Sequence, residues 1–321
     1  MSDVTMSSSF QLPGLTAAAF TPLHPDQSLD LDRIPGVVDH LESDGISALY
    51  VLGSTGEGVS LSSPERRAVA EAYVEVARGR LPVAIQVGHD SLLEAGGLAE
   101  HAQNIGADAI SAAPPSYFKP ESTEVVIACL AEIAARAPEL PFYYYHVPVM
   151  TGVHLDMNEF LRLGAERVPT LVGVKYSDPR LHDFQVCQES IRAGGFDFVF
   201  GVDEMLMAGM AAGMRGAVGS TYNFAAPLYL RIIEAFERGD LAQAREDQAR
   251  AAEMVDVIVR TCGRSGLKAM MGVIGLDCGP PRLPQEMARA EDVEKRTESL
   301  DAIGFFEWGR GGDPPSGGID G

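Results

Sequence analysis

A lysine stands inside an apolar run near the end of the segment LVGVKYSD, where Lys175 follows Val172, Gly173 and Val174. Burying an ammonium is costly unless the charge is paired or lost, and burial lowers the pKa of an amine. At pH 7 an ordinary lysine amine is neutral in roughly one molecule in 2,500. A shift to about 7–8 raises that fraction by orders of magnitude, and the neutral amine is the form that attacks a carbonyl. The plainer alternative is a head group that reaches out at the strand end or pairs with Asp178. The segment alone admits both.

Four further stretches carry residue types suited to the same chemistry. PFYYYHVPVMTGV places Tyr143 and Tyr145 on one face of a strand and Tyr144 on the other. A phenol facing a substrate relays a proton, while aromatic packing is the commoner use of a tyrosine. His146 reads as a packed or hydrogen-bonded loop residue. VLGSTGEG ends an apolar run on Gly53, Ser54, Thr55 and Gly56. Glycine lets backbone N–H groups approach a ligand, and successive N–H groups with hydroxyls make an anion seat. An ordinary strand-to-helix loop is the alternative. AVGSTYN repeats Gly-Ser-Thr at 219–221, and this echo weighs against a plain loop. FGVDEMLMAG offers Asp203 and Glu204, either as acids suited to a helix N-terminus or as acceptors for substrate hydroxyls.

The elements that must position these residues follow a repeating order. Apolar strand candidates fall at 15–20, 48–52, 83–87, 109–112, 142–145, 171–176, 198–200 and 217–220. Most are continuous apolar runs, as parallel strands covered on both faces require. Helical segments follow at 32–43, 64–78, 92–105, 123–136, 156–163, 180–192, 203–214 and 227–238, with Ser63 as candidate N-cap and Pro64 at the first helical position of the second. Eight such units predict an α/β fold, a (β/α)8 TIM barrel over 12–240, with an open doubly wound sheet as competitor. A C-terminal helical extension is expected at 241–305, from helices at 241–272 and about 284–303, and a disordered Gly/Pro-rich tail at 306–321. Barrel sites form at the C-terminal ends of the strands, which is where the singled-out residues fall.

Composition narrows the partners. The 321 residues hold 25 Lys+Arg against 45 Asp+Glu, a formal charge of −20. That argues against nucleic acid or an anionic membrane as partner. A small anionic substrate stays open, because screening beyond about 8 Å leaves local donors to decide. Cys129, Cys187, Cys262 and Cys278 are dispersed, and no metal-binding spacing of Cys or His appears. A reduced, cytoplasmic protein with no metal is expected. The start MSDVTMSSSF shows no secretory signal pattern, and no stretch of about 18 apolar residues indicates a membrane span.

A buried lysine, a tyrosine and a hydroxyl-rich nest suit Schiff-base chemistry on a keto acid. With these residues in view, the chain resembles the pyruvate-dependent lyase family that includes N-acetylneuraminate lyase and dihydrodipicolinate synthase. The motifs are GSTGEG (53–58), YYYHVP followed by TG (143–152), GVKYSD (173–178), FGVDE (200–204) and GAVGSTYN (216–223), in family order over roughly 12–300. Several stretches, including GPPRLP at 279–284, look like the N-acetylneuraminate lyase branch, especially its vertebrate form. The resemblance implies a class I aldolase that needs no cofactor, works on a sialic acid and pyruvate, and assembles as a homotetramer. It implies Lys175 as the Schiff-base residue and Tyr145 as the proton-handling tyrosine. Ser54 and Thr55 match the seat of the pyruvoyl carboxylate. Ser177, Gly201, Asp203, Glu204 and Ser220 match positions that contact the rest of the substrate, and Tyr117 matches a tyrosine that approaches a neighbouring subunit's site. Two positions depart from the pattern. His146 replaces a usual Asn, and Met150 stands where the synthase branch carries an Arg. A thioether cannot make the bidentate carboxylate contact of a guanidinium, which counts against a synthase. Another aldolase, dehydratase or synthase of the family, and a non-catalytic keto-acid sensor, are the rival readings.

Overall fold

The computed structural model describes residues 10–12 and 14–309. Eight parallel strands close into a barrel, β1 (Leu15–Ala18), β2 (Ala48–Val51), β3 (Val83–Gln86), β4 (Ala109–Ala112), β5 (Phe142–His146), β6 (Leu171–Tyr176), β7 (Asp197–Phe200) and β8 (Gly216–Gly219). Each strand pairs with its neighbour in sequence, and β8 returns to β1. The open doubly wound sheet is thereby excluded.

The interior of the barrel is filled by alternation of large and small side chains. Ala18, Ala48, Ala84 and Ala109 face inward, and Tyr50, Tyr143 and Tyr145 occupy the space these alanines leave. Tyr144 points the other way, against Phe160 at 4.4 Å between ring centroids. Register places Tyr145 beside Lys175 and Tyr143 beside Gly173, so Lys175 shares the inner face with Tyr145. Asp197 closes the opposite end of the barrel. It accepts hydrogen bonds from the Tyr143 hydroxyl at 2.7 Å and the Leu12 N–H at 3.1 Å.

The first helices are α1 (Ile34–Ser43), α2 (Ser63–Ala77), α3 (Leu92–Ile105), α4 (Thr123–Ala134), α5 (Pro148–Thr151) and α6 (Met157–Arg167). They are followed by α7 (Leu181–Val186), α8 (Gln188–Gly194), α9 (Leu206–Ala212) and α10 (Tyr222–Glu237). Several depart from the sequence pattern for identifiable reasons. The N-cap of α2 is Ser62, one residue before Ser63, because Glu65 reaches back to the Ser62 N–H at 2.9 Å and accepts its hydroxyl at 2.8 Å. The segment at 180–192 is two helices, and the one at 203–214 opens as a 3₁₀ turn at Asp203–Met205. Helix α10 starts five residues before Pro227 and kinks at Ala225, as a proline inside a helix requires.

Beyond the barrel lie α11 (Leu241–Cys262), α12 (Gly266–Val273), α13 (Ala290–Ala302) and α14 (Phe305–Trp308). The last turn corrects part of the expectation of a disordered tail. Trp308 Nε1 donates to the Ile303 carbonyl at 2.8 Å, and Arg231 donates to the Trp308 carbonyl at 2.7 Å. The remainder of that expected tail, 310–321, lies outside the described residues.

The extension is fastened to the barrel mouth through the GSTGEG loop. Leu52 (φ 64°) and Glu57 (φ 53°) bracket this loop in the left-handed region, which costs a side-chain-bearing residue of order 1–3 kcal/mol. Three hydrogen bonds hold it. Thr21 donates to the Gly56 carbonyl at 2.6 Å. Lys268 of α12 donates to Glu57 Oε1 at 2.7 Å, and the Arg282 N–H donates to Oε2 at 2.7 Å. Both members of the Glu57–Lys268 pair are almost fully buried. Lys268→Met would leave the Glu57 carboxylate buried beside a single backbone donor, at a cost of about 3–5 kcal/mol. Denaturant unfolding should report that loss, and the double variant Glu57→Gln/Lys268→Met should recover part of it. Unchanged stability of Lys268→Met would refute the anchoring role.

Candidate active site

The C-terminal strand ends open into a cavity of about 600 Å³. The structure brings to it nine of the ten residues singled out from sequence, namely Ser54, Thr55, Tyr145, Lys175, Ser177, Gly201, Asp203, Glu204 and Ser220. Tyr117 is not brought there within its own chain. It is 78% exposed in the loop after β4, edge-on to Phe118 at 5.0 Å, with its N–H donating to Asp90.

Lys175 is 4% exposed. Its Nζ lies 3.7 Å from the centroid of the Tyr50 ring and 4.2 Å from that of Tyr145. These ring faces favour an ammonium, as does the Asp203 carboxylate. Burial opposes both and prevails, lowering the pKa to about 7. The shift corresponds to roughly 5 kcal/mol between protonation states, so about half the amine is neutral near pH 7. Pairing with Asp178 does not occur. That carboxylate accepts from Arg180 at 3.0 Å and lies 3.6 Å from His146 Nε2, on the outer side of the sheet. His146 stacks on Tyr176 at 5.2 Å, and burial lowers its pKa to about 4. It is a packed residue as expected, but at the end of β5 rather than in a loop.

Asp203 is a second tuned group. Burial raises its pKa to about 6, against hydrogen bonds from Thr221 and the charge of Lys175. The Thr221 N–H and hydroxyl donate to its Oδ2 at 2.9 and 2.6 Å. Gly219 permits this approach, since a Cβ there would stand 2.2 Å from Asp203 Oδ1. Gly201 does the same for Ser177, whose Oγ would lie 2.0 Å from an added Cβ. Asp203 is therefore a buried, held acceptor at the cavity wall rather than a solvated acid at a helix start.

Tyr145 completes the centre. Its hydroxyl lies 3.3 Å from Ser54 Oγ. Burial raises its pKa, opposed by hydrogen bonds with Ser54 and Ser177. It is a neutral phenol at physiological pH, set between the hydroxyl-rich loop and the amine.

Three residues at this site were not singled out from sequence. Tyr50 walls the lysine and donates to Ser111 Oγ at 3.0 Å. Alternation along β2 places it inward with Ala48, so its signal was present. Thr221 lies inside the GSTYN motif. Arg264, in the turn between α11 and α12, lines this cavity and a contiguous one of about 500 Å³. Nothing local in the sequence points to it. Val255 and Val259 of α11 and Leu267 of α12 complete the roof. Among the described residues no group of three or more His, Cys, Asp or Glu is placed to hold a metal ion, and no helix is long and apolar enough to cross a membrane.

Fold and site together define a (β/α)8 barrel with a C-terminal helical segment and a lysine-centred cavity at its mouth. Residues 11–303 match the dihydrodipicolinate synthetase family, and the chain belongs to that family. It is 41% identical over 304 residues to the N-acetylneuraminate lyase of Homo sapiens, covering 92% of this chain and 95% of that protein. Against the N-acetylneuraminate lyase of Gallus gallus it is 41% identical, covering 91% and 96%. Among solved structures, the Proteus mirabilis N-acetylneuraminate lyase superposes with a TM-score of 0.89 at 37% identity, over 92% of this chain and all of that one.

The pKa values set a pH response. Asp203 loses its proton through about 6 and Lys175 through about 7, so the neutral amine beside a carboxylate exists above both. Acylation of Lys175 by a small amine-directed reagent, followed by peptide mass spectrometry, should rise to half its plateau near pH 7. The exposed Lys119 and Lys295 provide the reference. A midpoint above about 9, in the ordinary lysine range, would show a solvated amine.

Proposed function

We propose that the protein is a class I aldolase that cleaves N-acetylneuraminate reversibly to N-acetylmannosamine and pyruvate. The observation that carries this reading is Lys175, an amine with a pKa of about 7 at the floor of the cavity, in a chain about 41% identical to N-acetylneuraminate lyases over nine-tenths of its length.

In this mechanism neutral Lys175 attacks the C2 ketone of the open-chain sugar acid, and uptake of one proton from solvent with loss of water gives a protonated imine, the proton being returned when the imine is hydrolysed. Ser54 and Thr55 seat the substrate carboxylate. The C4 hydroxyl gives its proton to the Tyr145 oxygen while the phenol passes its own proton to that carboxylate, since a phenol whose pKa is raised does not begin as an anion. The C3–C4 bond then breaks, its electrons move to the imine nitrogen, and the aldehyde leaves. The remaining enamine takes a proton at C3, and water releases pyruvate and restores the amine. Ser177, Gly201, Asp203, Glu204 and Ser220 bind the polyhydroxylated part. The acceptor oxygens of Asp203 and Glu204 suit a substrate rich in hydroxyl groups.

The assembly in this reading is a homotetramer, in which Tyr117 meets a neighbouring chain. The exposed apolar side chains Leu93, Tyr117 and Phe118 support an interface with a second copy, and light scattering should give the four-chain mass rather than that of a monomer. The proposed location is the cytoplasm, supported by four free cysteines; recovery of the native protein from a secreted or membrane fraction would contradict it.

Purified protein given N-acetylneuraminate should release pyruvate, and Lys175→Ala should release none. Tyr145→Phe should lower kcat by about 10²- to 10⁴-fold, the usual weight of a positioned proton donor or acceptor, with a smaller effect on KM. Release by Lys175→Ala at the wild-type rate would end the imine mechanism. Wild-type kcat in Tyr145→Phe would remove the relay.

A further inference from the structure

We infer that Arg264 is a specificity-determining residue of this same site, drawing the carboxylate of a 2-oxo acid to the Ser54–Thr55 loop. The inference rests on the keto-acid reading above and adds to it the source of attraction for the anion.

The seat itself supplies only neutral donors, namely hydroxyls and backbone N–H groups. The walls nearby carry Asp203, Glu204 and Asp256, and the chain has a formal charge of −20. An anionic substrate entering such a mouth meets repulsion unless a local cation offsets it. Four Lys and Arg side chains line the two contiguous cavities: Arg66, Lys175, Arg264 and Lys268. Lys268 is committed to Glu57. Arg66 is buried and donates to the carbonyls of Gly88 and Gln86 and to the Gln86 side chain. Lys175 is the amine that must become neutral to react. Arg264 alone of the four has no hydrogen-bond, ion-pair or ring partner among the described residues.

Its placement is defined. Gly263, at φ 64°, ends α11 and turns the chain, and Ser265, which follows Arg264, donates to the Glu286 carbonyl at 2.6 Å. Arg264 lines both cavities, as do Ser54, Thr55 and Tyr145. Its charge is felt at Tyr145, where it favours the phenolate. Lys175 is shifted by burial and by Asp203. The cation is thus felt at the tyrosine beside the seat, whereas burial and Asp203 set the state of the amine.

An exposed charge at a rim is worth a modest factor in affinity and a visible dependence on salt. The test is reductive trapping with borohydride at increasing concentrations of pyruvate and, separately, of methyl pyruvate, its neutral ester. Arg264→Gln should raise the half-saturating concentration of pyruvate by about two- to fivefold, flatten its dependence on NaCl, and leave that of the ester unchanged. Arg264→Lys should retain most of the wild-type behaviour. Equal half-saturation for pyruvate in wild type and Arg264→Gln would overturn the inference while leaving the lysine chemistry in place. A parallel loss for pyruvate and the ester would also overturn it, since that marks a structural role. If wild type trapped neither compound, the keto-acid reading would fall and the inference with it.

Discussion

The chemistry of this protein depends on keeping one amine out of water. Lys175 sits between the faces of two tyrosine rings with a carboxylate within electrostatic reach, and both neighbours favour its charged form. Burial outweighs them and brings its pKa to about 7. A fully solvated lysine would be neutral in roughly one molecule in 2,500 at that pH, and an amine held as a tight ion pair would be no more nucleophilic. The working state lies between these limits, and the balance is set by how the barrel is closed above and below it.

Several distant features serve that closure. Alanines on the inner faces of β1 to β4 make room for Tyr50, Tyr143 and Tyr145. Asp197, held by Tyr143 and Leu12, fills the far end. Over the mouth, α11 and α12 contribute an apolar roof, and the buried Glu57–Lys268 pair fixes α12 to the loop that carries Ser54 and Thr55. A buried ion pair adds little net stability. Here it joins two parts of the chain at a loop whose flanking residues adopt left-handed backbone. One six-residue stretch therefore has two duties: its hydroxyls line the cavity, and its glutamate ties down the roof.

Much of this was legible in the sequence because the strands read as continuous apolar runs, which parallel strands buried on both faces must be. A lysine in such a run stands out, and strict alternation placed Tyr143 and Tyr145 together. What the sequence hid is long-range or depends on small shifts. Glu57 and Lys268 lie 211 residues apart, so neither announces the other. Asp203 looked equally like a helix-opening acid; only closure of the barrel brings Thr221 to its carboxylate and Lys175 near it. The cap of α2 moved by one residue because Ser62 and Ser63 are both competent and the spacing to Glu65 decides. Trp308 was read as part of a loose tail, since nothing adjacent to it predicts its anchor on Arg231.

The most direct measurement is to reduce the protein with borohydride in the presence of pyruvate and locate the modified residue by peptide mass spectrometry. The chain has four lysines, Lys119, Lys175, Lys268 and Lys295, so the assignment is unambiguous. A single stoichiometric adduct on Lys175 is expected, forming more readily as pH rises through 7. No adduct, or one spread over the exposed Lys119 and Lys295, would contradict it.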